Sequence, residues 1–127
     1  MAARDDRPSP AETQAARDVI AERLRQIAEE GWTAEHDDVH VRGELASAGA
    51  LYALSAAVCE DFIGRGAISE EEADDVLRRC PAPPDWPWPT CWWKPKNRRR
   101  DLVRAAALIV AEIDRLDRKT AKERADG

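Results

Sequence analysis

An all-α fold, a compact bundle of about four helices closed by a Pro/Trp-rich extended strap, is predicted for this 127-residue chain by three observations. With one Phe and one Tyr the chain has little β-forming material, and its core must come from Ala, Leu, Ile and Val. Apolar residues recur at spacings of four and three in two long segments. Two segments also open with the Ser-x-x-Glu pattern of a helix capping box.

The first of these patterns is Ser9-Pro10-Ala11-Glu12, which predicts a helix over residues 10 to 30, with Ala16, Ile20, Leu24 and Ile27 on one stripe and Gly31 ending it. The stretch from Gly31 to His40 lacks sustained periodicity and reads as a structured connection. From Leu45 to Cys59 no charged residue occurs, so a second helix is expected there as the most buried element. Gly64-Arg65-Gly66 breaks it, and Ser69 with Glu72 caps a short third helix that ends at Pro81. Six prolines and four of the five tryptophans lie between Pro81 and Pro95; so many missing N–H groups exclude a helix and predict an extended strap across the bundle. Asn97 then caps a last helix whose Leu102, Ala106, Ile109, Ile113 and Leu116 form the most regular apolar stripe in the chain. Leu51, Leu54, Val58, Leu102, Ile109 and Ile113 are the expected core. One domain is expected over 1–127, with 1–8 and 119–127 as flexible tails.

A composition of 43% apolar and 35% charged residues is that of a globular chain rather than a disordered one. The net charge of −5 argues against a duplex-DNA binder. No signal-peptide pattern opens the chain, and no uncharged stretch reaches the roughly 20 residues of a membrane span, so a cytoplasmic protein with no membrane partner is expected. Cys59, Cys80 and Cys91 are odd in number and form no CxxC, the pattern of idle thiols rather than of a disulfide framework or zinc knuckle.

Two segments carry candidate chemistry. Lys94, Lys96, Arg98, Arg99 and Arg100 crowd the start of the last helix, although a helix N-terminus already carries about half a positive charge. An anion would relieve that conflict. Trp88, Trp92 and Trp93 for base stacking and Lys94, Arg98, Arg99 and Arg100 for phosphate therefore compose a receptor for a nucleotide or other phosphorylated small molecule. In the alternative, the indoles pack the strap and the arginines pair with Asp101, Asp85 or the acidic third helix. The second segment gathers His36, Asp37, Asp38, His40 and Glu44 within nine residues, donors suited to a divalent metal, or equally to caps and turns.

The runs Gly31-Trp32-Thr33, Glu35-His36-Asp37-Asp38, Gly43-Glu44-Leu45-Ala46, Trp92-Trp93-Lys94-Pro95, Arg99-Arg100-Asp101-Leu102-Val103 and Ile113-Asp114-Arg115-Leu116-Asp117-Arg118 resemble a group of small phage and prophage proteins. The resemblance spans residues 19 to 118 and implies an accessory role in the cytoplasm of a bacterial host. More distantly, Glu22-Arg23-Leu24-Arg25-Gln26 and the rhythm of the last helix are similar to phage MazG-like pyrophosphohydrolases, all-α enzymes that hold magnesium with an ExxE pair and an ExxD pair. Here Glu44 is followed by Ser47 and Asp101 by Arg104, so those pairs are incomplete, while Glu71 and Asp74 keep the ExxD spacing alone. The resulting expectation is a protein that binds an anionic nucleotide and sequesters a nucleotide immune signal. The alternatives are a metal-dependent nucleoside triphosphate pyrophosphohydrolase and an inhibitor that docks on a host defence protein through its tryptophans. The small side chains of the second helix also suit a homo-oligomer.

Overall fold

The structure, a computed structural model, describes residues 6–127; residues 1–5 of the expected N-terminal tail lie outside it. The described chain is all-α, with helices α1 (Gln14–Glu30), α2 (Ala34–Asp38), α3 (Glu44–Gly64), α4 (Glu70–Arg79) and α5 (Arg98–Asp126) and short 3-10 turns at Pro10–Glu12 and Thr90–Trp92. Helix α5 continues through residues 119–126, where a tail was expected.

Local chemistry sets most of these boundaries. The box expected at Ser9 does not form: Ser9 makes no side-chain cap, and Thr13 accepts from the Ala16 amide at 3.1 Å, so α1 starts four residues late. Thr13 wins because the 3-10 turn uses up Pro10–Glu12. Gly31 sits at φ +72°, the left-handed cap that frees the chain to turn, and the Trp32 amide returns to the Gln26 carbonyl at 3.0 Å. At α4 the reciprocal Ser69–Glu72 box is complete, and Asn97 caps α5 by accepting from the Arg100 amide at 2.8 Å.

Helix α5 lies between α1 and α3, packing on both; α4 packs on α3 and reaches the start of α5 through Asp74 and Arg98, and α2 packs against α5. The core lies under one side of this layer, where Leu45, Ala48, Tyr52, Ala105, Leu108 and Ala111 meet Trp86 and Trp93 of the strap. A smaller cluster of Cys59, Ala73 and Leu77 joins α3 to α4.

The expected core was turned the wrong way. Leu54, Val58, Leu102, Ile109 and Ile113 are exposed and Leu51 is only half-buried. Helix α3, expected to be the most buried element, hides one face only, where Ala48, Gly49, Ala56 and Cys59 alternate with Leu45 and Tyr52. The reason is close approach: α3 and α5 meet through small side chains, and a Cβ at Gly49 would stand 3.0 Å from the Ala105 carbonyl and 3.2 Å from Ile109 Cγ1. The strap tryptophans supply the bulk that the leucines and isoleucines were expected to give. Helix α1 inverts likewise, burying Glu22 and Gln26 while Ile20 and Leu24 face outward.

Candidate functional site

The strap, α2 and the end of α1 enclose an aromatic cavity. Gly31 turns the chain so that Trp32 follows directly on α1, and Thr33 caps α2 and so places His36 one turn later. The His36 ring lies parallel to Trp32, with centroids 6.0 Å apart, and meets His40 edge-on at 4.9 Å. From the strap, Trp88 packs against Trp32 at 5.8 Å and His40 at 5.4 Å. Together with Glu30, Pro89 and Trp92 these rings line a cavity of about 300 Å³, the lower end of the volume that small-molecule sites occupy. A cleft of about 30 Å³ continues from the Glu30–Trp32–Trp88–Trp92 rim to Lys94 and Arg104.

Two of the lining residues each carry one ring nitrogen, His40 Nε2 and Trp88 Nε1, that is buried away from the open space without a hydrogen-bond partner among the described residues. His40 Nδ1 faces the Glu44 carboxylate at 3.0 Å, a pairing in which Nδ1 donates. Each unsatisfied group costs about 1–3 kcal/mol until something bonds it.

Beneath this cavity the strap is held by a polar hub. The Tyr52 hydroxyl accepts from the Lys94 amide and from Arg104 Nη1, both at 3.0 Å, and donates to the Trp92 carbonyl at 3.4 Å. Arg104 also donates to the Lys94 carbonyl at 2.6 Å. Trp93, expected to stack on a base, is core: it stacks on Tyr52 at 4.5 Å and donates from Nε1 to the Cys80 carbonyl at 2.9 Å. Trp92 remains half-exposed, with Lys94 Nζ 5.5 Å from its ring centre.

The three arginines diverge. Arg98 is clamped by Glu60 and by Asp74, which takes both its amide and its Nε. Arg99 meets Asp18 at 2.8 Å, and Arg100 meets the buried Glu22 at 2.9 Å. The protein's own carboxylates thus relieve much of the helix-dipole conflict expected to need a bound anion. Burial is the largest influence on Glu22 and pushes its pKa up, yet hydrogen bonds from Arg25 and Arg100 together hold it below the ordinary 4.5. At Asp74 burial again opposes, and the bonds from Arg98 again prevail and lower it. Asp101 is the exception: burial raises its pKa, and bonding from the Lys96 amide only partly offsets that.

Arg99 and Arg100, with Arg25 and Asn97, border a second basin of about 500 Å³ floored by Asp18 and Glu22. Arg25 links the two hollows. Its guanidinium bonds Glu22 in the basin at 2.7 Å and Glu30 on the aromatic rim at 3.0 Å.

No family model, curated protein or solved structure matches this chain. The site therefore rests on its own geometry.

The five candidate metal ligands disperse among separate partners. Asp37 is fully buried against Arg23 at 2.6 Å, Asp38 pairs with Arg118 at 2.7 Å, His36 touches Asp37 at 3.2 Å, and His40 pairs with Glu44. Among the described residues no three His, Cys, Asp or Glu groups are arranged to hold a metal ion. Glu30 and Tyr52 were not singled out by sequence reasoning, and Trp32 and Arg25 entered only in the runs that carry the resemblances, without a role at a site. An isolated Trp after a helix-ending glycine was the one available signal.

Proposed function

We propose that this protein binds a nucleotide, with the base held in the aromatic cavity of Trp32, His36, His40, Trp88 and Trp92 and the phosphates directed to Arg25, Arg99 and Arg100. The observation that carries this reading is the linkage of a ring-lined cavity to an arginine basin through one side chain, Arg25, which borders the basin and bonds Glu30 on the cavity's rim. Glu22 and Glu30 are eight residues apart on α1, about 12 Å along the axis, which is the reach of a nucleotide from base to terminal phosphate. Indole faces accept any base, and Trp32, Trp88 and Trp92 present three of them to the cavity. Arg99 and Arg100 each meet their carboxylate through one terminal nitrogen, so further N–H donors remain for phosphate oxygens.

In the phage setting that the resemblance implies, the protein holds such a ligand without cleaving it, removing a nucleotide signal from circulation. The pyrophosphohydrolase alternative calls for a carboxylate cluster, and the candidate carboxylates here are spread among arginines and His40. Mass spectrometry of the supernatant from heat-denatured protein tests the reading. A stoichiometric nucleotide in the wild type that is lost from Trp88→Ala supports it. Clean protein that also fails to take up any mono-, di-, tri- or cyclic oligonucleotide overturns it.

A further inference from the structure

The most regular apolar pattern in the sequence has no cover in the folded chain. Leu102, Ile109, Ile113 and Leu116 of α5 are 42–51% exposed, and Ile20 and Leu24 of α1 are 60% and 62% exposed. These residues share one side of the α1–α5–α3 layer. Ile20 and Leu24 line one hollow with Val110 of α5, and Ile109 of α5 approaches α3 at Gly49. The opposite side of the layer carries the tryptophan strap.

We infer that this open face is the docking surface for a second copy of the same chain. Three observations select that occupant. The α5 stripe steps 102, 106, 109, 113, 116, the four-three spacing of a seam that packs against another helix of the same pattern, with small Ala106 at its middle permitting close approach. With Leu54 and Val58 of α3 included, the exposed parts of these apolar residues amount to roughly 800 Å² per copy, about what each partner of a stable interface contributes and beyond the patches that monomers ordinarily show. The rim carries both signs, in the pairs Asp18–Arg99 and Glu60–Arg98, on a chain of net charge −5. A two-fold contact can match such a rim to itself, whereas an anionic lipid surface calls for a predominantly basic one. Helix α3 has the length and apolarity of a membrane span, with 28% of its most apolar stretch buried, so a bilayer is the competing occupant.

Sedimentation equilibrium of the full chain from 1 to 100 µM, with no ligand added, tests the assignment independently of nucleotide binding. The expected mass is twice 14.2 kDa. Ile113→Glu should return the single-chain mass with an unchanged helical circular dichroism spectrum, and its melting temperature should lose the concentration dependence shown by the wild type. Should Ile113→Glu fail to fold, Leu102→Glu at the far end of the stripe takes its place, and the wild-type mass decides in either case. A wild type that stays monomeric at 100 µM, or that floats with vesicles of phosphatidylcholine and phosphatidylglycerol, overturns the assignment.

Discussion

Replacing Arg100 by Gln tests whether the arginines at the start of α5 are structural, ligand-binding or both. The Glu22 carboxylate is 4% exposed and receives Arg25 at 2.7 Å and Arg100 at 2.9 Å. Losing one partner of a buried ion pair costs about 3–5 kcal/mol when no other partner remains. Here Arg25 stays and Arg100 is itself about a quarter exposed, so a cost of about 2 kcal/mol is expected, close to one charge-assisted hydrogen bond. With an m-value of about 2 kcal/mol/M in urea, the unfolding midpoint should fall by about 1 M with m unchanged. Arg99→Gln should cost a small fraction of that, because Arg99 is 61% exposed. Glu22→Gln combined with Arg100→Gln should recover part of the loss, because the buried carboxylate that Arg25 alone then pairs with is removed. Equal midpoints for the two single variants, or an Arg100→Gln shift below about 0.3 M, would refute the reasoning. Both substitutions should weaken nucleotide binding, and only Arg100→Gln should also weaken the empty fold.

Other outcomes follow from the same geometry. Leu108→Ala, at a fully buried site, should cost about 2–5 kcal/mol in urea unfolding, while Ile113→Ala at low protein concentration should cost well under 1 kcal/mol; similar costs would return Ile113 to the core. Trp93→Ala should lose about 3–5 kcal/mol, whereas Trp92→Ala should leave the midpoint nearly unchanged and impair nucleotide binding. Glu22 and Asp74 have folded pKa values below their ordinary 4.5 and 3.8, so their stabilisation is complete above those values and is lost as pH falls through the lower folded ones. Stability should therefore drop below about pH 4.5, and Glu22→Gln should flatten that acid limb; Asp101, with its raised pKa, acts in the opposite direction. Ser69→Ala should cost about 0.5–2 kcal/mol through loss of the α4 capping box.

The helices were legible because caps and periodicity are local. Ser69 with Glu72, Asn97 and Gly31 act as their residue types predict, and the proline-rich strap crosses the bundle as expected. Which face of a helix lies inward was not legible. A stripe such as Leu102–Leu116 reports that a face is apolar, not whether the same chain covers it, and Trp86 and Trp93 of the strap, with Trp88 packed against them, filled the space instead. Buried polar residues escaped for a related reason: Glu22 is satisfied by Arg100 78 residues away and Tyr52 by Arg104 52 residues away, pairings that only the assembled fold creates. At the site, Trp88, Trp92, His36 and His40 were nominated in two unrelated roles, phosphate-and-base receptor and metal centre. The fold brings these four into one cavity and adds Trp32 and Glu30 from the end of α1.

The central claim is that the aromatic cavity and the arginine basin serve one ligand. Tryptophan fluorescence titration of a panel of nucleosides and nucleotides, repeated on Trp88→Phe, His40→Ala and Arg99→Gln, tests it most directly. The expected pattern is quenching that tightens from nucleoside to triphosphate, a weaker response in Trp88→Phe and His40→Ala for every member, and loss of only the phosphate-dependent increment in Arg99→Gln. If all members bind equally, or if Arg99→Gln and Trp88→Phe respond like the wild type, the two hollows do not form one nucleotide site.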